Sequence, residues 1–248
     1  MNLASLAALG IILGTILVFI ILSLTLRGRK VIVFRSIPAF RILTQMIGRS
    51  VEEGRSLHLS LGSGSLTGRQ CTIGFCGLST LDNLSRVSLI GDKPAVCTSG
   101  DGGLILLSKD VLTQAYKQAQ KLSIYQGVQA RFAGATPDAY VTGTLIALLD
   151  EPFSGSVLIG DFNSLAVLLT GLPFHDHASL TATDSLCVQA AFYACSDESL
   201  LGEDAYAAGA YTAPNPSRSA SLVTQDVLRW VTIGLVILYI VLQVSGVL

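Results

Sequence analysis

Two uninterrupted apolar runs, one at each end of the chain, limit the possible folds more than anything between them. No residue from Leu3 to Leu26 is charged, and from Trp230 to Leu248 only Gln243 and a few small or hydroxylated residues interrupt the run. At about 1.5 Å of rise per residue, each reaches roughly across a hydrocarbon core about 30 Å thick. Both are expected to be transmembrane helices, at residues 1–27 and 227–248 of the 248-residue chain. A cleavable signal would need a basic segment before its apolar stretch and a small-residue cleavage site after it. Only Met1 and Asn2 precede this run, so the first span is expected to be retained.

The flanks of the two runs carry the sidedness argument. Arg27, Arg29, Lys30 and Arg35 follow the first span, with Arg41 and Arg49 further on, and Arg218 and Arg229 precede the second, which opens at Trp230. Excess Lys and Arg beside a span marks its cytoplasmic end. The expectation is a two-pass protein of the inner (plasma) membrane with its central part cytoplasmic and both termini outside. Arg27, Arg29, Lys30, Arg35, Arg229 and Trp230 are its expected interface residues. Gly10 and Gly14 form a G-x-x-x-G pair that permits close approach of another helix, either the second span or a second copy. Cys71, Cys76, Cys97, Cys187 and Cys195 form an odd set at irregular spacing, as a reducing compartment tolerates.

Between the spans, residues 28–55 read as a basic amphipathic juxtamembrane segment. In "RSIPAFRILTQMIGRSVEEG", Ser36 is a candidate N-cap, Pro38 falls near the first helical position, and Ile37, Phe40, Leu43, Ile47 and Val51 recur at helical spacing. Two readings stay open for this helix: one lying on anionic lipid, or one packed beneath the first strand of a domain. From 56 to 210, apolar runs such as "LHLSLG", "AVCTSG", "VQARFAG", "GSVLIGDF" and "ASLTATD" alternate with helical stretches. That alternation predicts an α/β, Rossmann-like domain with a mostly parallel sheet covered by helices, because parallel neighbours need a crossover. Residues 211–226, including "YTAPNPSRSAS", read as an extended linker followed by a short polar helix. The net charge of −1 conceals an asymmetry: between Arg131 and Arg218 there is no Lys or Arg, while Asp and Glu recur throughout. Nothing in this balance points to nucleic acid.

The turn "LGSGSLTG" after the first strand raises the question of a phosphate cradle. A dinucleotide fingerprint needs G-x-G-x-x-G and an acidic residue about 20 positions on. Gly62 and Gly64 fill the first two places, but the third falls on Thr67, with Gly68 one residue late. Asp82 has roughly the offset of the ribose-binding acid yet falls inside a predicted helix. Gly62, Ser63, Gly64, Ser65 and Arg69 are the ligand-binding candidates, set against the simpler reading that the glycines make a sharp corner. No Walker sequence and no G-x-S-x-G elbow occurs. His175, Asp176 and His177 in "PFHDH" sit together in a predicted loop, read as surface with no metal expected. No catalytic residue and no cofactor is predicted.

The runs "RSIPAFRILTQMIGRSVEEGRSLHLSLGSGSL", "DESLLGEDAYAAGAYTAPNP" and "TQDVLRW" resemble a family of uncharacterised bacterial membrane proteins with two terminal transmembrane helices. The resemblance covers nearly the whole chain, supports the two-span plan and implies no activity. The expected function is that of a non-enzymatic scaffold or interaction protein at the cytoplasmic face of the membrane. Its expected partners are the lipid bilayer and either further copies of itself or other membrane proteins. The alternative is a sensor or enzyme that holds a nucleotide or other phosphate ligand over the glycine-rich turn.

Overall fold

The computed structural model describes residues 3–26, 34–68, 71–91, 93–125, 127–171, 178–212 and 216–245. In chain order the elements are α1 (Leu3–Leu26), α2 (Pro38–Glu53), β1 (Ser56–Gly62), α3 (Cys71–Ser88), β2 (Val96–Ser99), α4 (Gly102–Gln118), β3 (Ala130–Phe132), α5 (Pro137–Asp150), β4 (Phe153–Asp161), α6 (Leu168–Gly171), β5 (Ala178–Ala182), α7 (Leu186–Cys195), β6 (Glu198–Leu200), α8 (Ala208–Thr212) and α9 (Pro216–Val244). They fall into two compact units, one formed by Met1–Phe34 with Pro214–Leu248 and the other by Arg35–Ala213.

The central unit is built on one six-stranded sheet in the order β3-β2-β1-β4-β5-β6, with every neighbouring pair parallel. That is the order of a doubly wound α/β sheet, and its physical basis is the right-handed crossover. The chain steps outward from β1 to β2 to β3, which sets α3 and α4 on one face. It then returns to β4 and steps the opposite way to β5 and β6, which sets α5, α6 and α7 on the other. Side-chain alternation feeds two separate cores. Leu57, Leu59 and Leu61 of β1 join Val157 and Ile159 of β4 under α2, α3 and α4. Leu158 of β4 lies with Tyr140, Val141, Leu148, Val188 and Phe192 under α5 and α7.

The helix α2 has no crossover to make, and it covers the part of the sheet that α3 and α4 leave open, over β4, β5 and β6. Its inward stripe is Ala39, Leu43, Met46 and Ser50, all buried. Of the two readings left open by the sequence, the domain helix is the one that describes this packing, because the apolar face is occupied by the sheet. Pro38 is in the first turn as expected, where a missing N–H removes no helical bond. The N-cap is Ile37 with no side-chain bond, not Ser36; Phe40 N–H instead closes the first turn on the Ile37 carbonyl at 3.2 Å.

In the terminal unit α1 and α9 pack on each other, and most of their Leu, Ile and Val side chains remain exposed. Both are long and apolar enough, by length and composition, to cross a bilayer. The expected extended linker is corrected by the helices on either side of 213–215: Tyr211 and Thr212 close α8, and Pro216 opens α9, which continues without a break through Trp230. Proline at a first helical position starts this helix instead of stopping it. A polar leader and an apolar span therefore share one rod.

Candidate functional site

Parallel strands all end at one edge of their sheet, so every βα turn of the central unit meets at a single crest. The glycine-rich turn leaves β1 at the point where the strand order reverses between β1 and β4, the position at which doubly wound sheets hold ligands. Gly62 has φ +78°, and a Cβ there would collide with the Asp161 carbonyl. A Cβ on Gly64 would stand 2.6 Å from Asp161 Cβ. Both glycines are thus accounted for by the close approach of β4 to the turn.

The donors of the turn are largely engaged within the protein. Gly62 N–H donates to Tyr140 Oη at 3.1 Å, and Ser63 N–H to the Asp161 carbonyl at 3.0 Å. Gly68 N–H closes on the Ser65 carbonyl at 3.0 Å, Leu66 N–H reaches Asp101 Oδ2 at 3.4 Å, and Thr67 N–H reaches Ser65 Oγ at 3.4 Å. Within 62–68 the N–H groups of Gly64 and Ser65 are those without a partner. Arg69 lies outside the described residues, as do Arg27, Arg29, Lys30, His175, Asp176 and His177.

Among the described residues, carboxylates dominate the charge at the crest. Burial pushes the Asp161 carboxyl upward and the negative charge of Asp184 adds to the shift; Asp184 is itself raised by burial. Asp184 Oδ1 is buried without a hydrogen-bond partner. Tyr206 is raised by burial, then by Asp184 and Cys76. Asp101 caps α4 through Leu104 N–H at 3.0 Å. The field of these carboxylates repels a bound phosphate and attracts a cationic or hydrogen-bond-donating group. Sequence reading passed over Asp161 and Asp184; the signal available was that Asp161 closes β4 and Asp184 follows β5, both at the strand ends that form the crest. Asp82 lies on α3, where Arg86 Nε donates to it at 2.9 Å, far from the role of a ribose acid at the tip of β2.

Beneath the crest, the sheet face under α5 sets polar side chains among its apolar ones. His58 is fully buried, its Nε2 3.0 Å from Thr98 Oγ1 and its ring 5.4 Å from that of Phe153. Burial, with a smaller contribution from Arg131, pushes it down to about 3, so the ring is neutral. Ser60 and Tyr140 hydroxyls share a short hydrogen bond beside it. Among the cysteines, Cys97 is buried and pushed up to about 12, whereas Cys187 and Cys195 on α7 are exposed. No cluster of three metal-ligating side chains occurs among the described residues.

The other sequence candidates occupy separate places. Arg35 belongs to the central unit and bridges Asp204 with N···O distances of 2.5 and 2.8 Å. Arg229 lies 3.7 Å from Asp226 on α9, and Trp230 beside it is exposed. Cβ atoms added to Gly10 or Gly14 would meet nothing within 4 Å among the described residues.

Taken together, fold and site define an α/β protein with an all-parallel six-stranded sheet and an apolar helix at each end. The chain matches a domain of unknown function (DUF6754) over residues 2–248 and belongs to that family. No curated protein and no solved structure matches it.

Proposed function

We propose that this chain is a membrane-anchored interaction protein of the cytoplasmic face of the bacterial inner membrane, a scaffold that acts through the surface of its α/β unit and not through catalysis. The observation that carries the reading is the outer surface of α5, α6 and α7. None of these helices contains Lys or Arg, and α6 and α7 contain no charged residue at all. They leave Leu149, Leu168, Leu186 and Tyr193 exposed, Leu186 at 79% and Tyr193 at 68%. Single exposed apolar residues are ordinary, but a helical layer this poor in charge fits a surface that another protein covers. The basic flanks of the two apolar helices support the cytoplasmic placement. Extraction of the full chain from its own membrane with mild detergent, followed by native mass measurement, tests the reading. A mass above the monomer, from copies or from a second protein, is expected; bare monomers at physiological density contradict it.

A second reading, a Rossmann-like fold that binds a nucleotide or other phosphate compound at the crest, is favoured by one observation: the glycine turn sits at the reversal of the strand order. The engaged donors and the nearby carboxylates weigh against it. Its test is the melting temperature of the full chain in detergent with a nucleotide panel, with Ser65→Asp adding charge at the exposed tip. A rise that this variant removes supports ligand binding, and no rise with any nucleotide disposes of it.

A further inference from the structure

After β6 the chain makes a short 3₁₀ helix, Gly202–Ala207, runs directly into α8 and then opens α9 at Pro216. The hold of this segment on the α/β unit is shallow. Its buried side chains are Ala205, Ala207, Ala208 and Ala210, one methyl group each, so they bury little apolar area. It starts at Gly202, whose φ of +57° suits a glycine and whose N–H donates a long bond of 3.4 Å to Gln189 Oε1.

Two contacts latch the segment to the residues where the chain enters the unit. Arg35 Nη2 reaches both Asp204 oxygens, at 2.5 and 2.8 Å, from a side chain that is 68% exposed. The rings of Phe40 and Tyr211 stack with centroids 4.5 Å and planes 9° apart, and Tyr211 Oη donates to the Arg35 carbonyl at 3.0 Å. An exposed ion pair and one aromatic stack are each of modest strength. Against the segment lies the half-buried Cys76 thiol of α3, which donates to the Tyr206 carbonyl at 3.7 Å. Tyr206 in turn feels the negative charge of Asp184 at the crest.

We propose that residues 202–212 are a strap that carries displacement of α9 to the α/β unit: latched, it covers Cys76, and pulled, it uncovers that thiol while the sheet stays folded. The proposal rests on the reading of α1 and α9 as membrane spans, and the coupling runs along the chain itself. Because α9 is one continuous helix from Pro216, a tilt of its apolar part moves its polar start. The core has no need to yield. Its cover is held by larger buried side chains, among them Leu43, Met46 and Leu81, so the alanine-faced strap opens first.

The test uses the full chain with Cys71, Cys187 and Cys195 replaced by serine, reconstituted into phosphatidylcholine vesicles of short or long acyl chain. N-ethylmaleimide is added, and its rates of reaction at Cys76 and Cys97 are read by mass spectrometry. Cys97 is fully buried and reports global unfolding. The Cys76 rate is expected to differ about threefold between the two bilayers, since a change of thickness tilts a span. A flexible glycine-serine insertion after Ala213 should remove that difference. Arg35→Gln is expected to raise the Cys76 rate about two- to fivefold, and Tyr211→Ala about tenfold, with Cys97 unchanged. A Cys76 rate that is the same in both bilayers, or that rises only together with Cys97, would overturn the strap while leaving the membrane reading intact. A chain that fails to float with the vesicles would defeat both.

Discussion

Gly62 and Gly64 act on β4 before they act on any ligand. A methyl group at Gly64 meets Asp161 Cβ at 2.6 Å, and at Gly62 it meets the Asp161 backbone at a φ of +78° that side chains rarely adopt. Gly62→Ala and Gly64→Ala are each expected to lower unfolding stability by about 1–3 kcal/mol, read by chemical denaturation of the full chain in detergent. A ligand-only role would leave stability unchanged. His58 gives a second residue-scale prediction. Its folded pKa, about 3, lies below the ordinary value of 6.5, so the unfolded chain binds the extra proton. The stability from the neutral buried ring is complete above pH 6.5 and falls by about 1.4 kcal/mol per pH unit from there toward pH 3. Denaturation midpoints at pH 7.5 and pH 5 measure this, and His58→Gln should show the shallower dependence. An equal slope in the two chains would refute the assignment.

At the scale of elements, α2 is the instructive case. Its apolar stripe reads equally well as a lipid-facing or a sheet-facing surface, because hydrophobic periodicity specifies that a face is covered and not by what. The sheet supplies the cover, so Leu43→Ala is expected to cost about 2–5 kcal/mol of unfolding stability, as loss of a buried leucine does. A helix lying on lipid would leave the denaturation curve of the α/β unit where it is. The strands from β1 to β5 and the longer helices between them were legible for a related reason: apolar runs alternate with helical spacing, and the resulting α/β sheet is all-parallel. The short β6 and α8 were not, since a three-residue strand and a five-residue helix carry too little pattern. The helical start of α9 escaped because proline and serine signal both a linker and a first turn. The start of α4 at Gly102 was likewise hidden behind two glycines, and the capping carboxylate of Asp101 outweighs them. Within the candidate site, the corner at Gly62–Ser65 was visible in the sequence, but its partners Asp161, Asp101 and Tyr140 come from distant segments that only the strand order unites.

For the whole molecule, the governing feature is that α1 and α9 present apolar side chains over most of their surface, and such helices require lipid or protein around them. Lipid is the proposed surrounding, and under that proposal the arginine-rich flanks favour the cytoplasmic side for the α/β unit. The exposed thiols of Cys187 and Cys195 offer the direct measurement, since both lie in that unit. A membrane-impermeant maleimide is applied to intact cells with a permeable outer envelope and, separately, to inverted inner-membrane vesicles. The account predicts labelling of these thiols in the vesicles and none in intact cells; labelling in intact cells with none in the vesicles would contradict it.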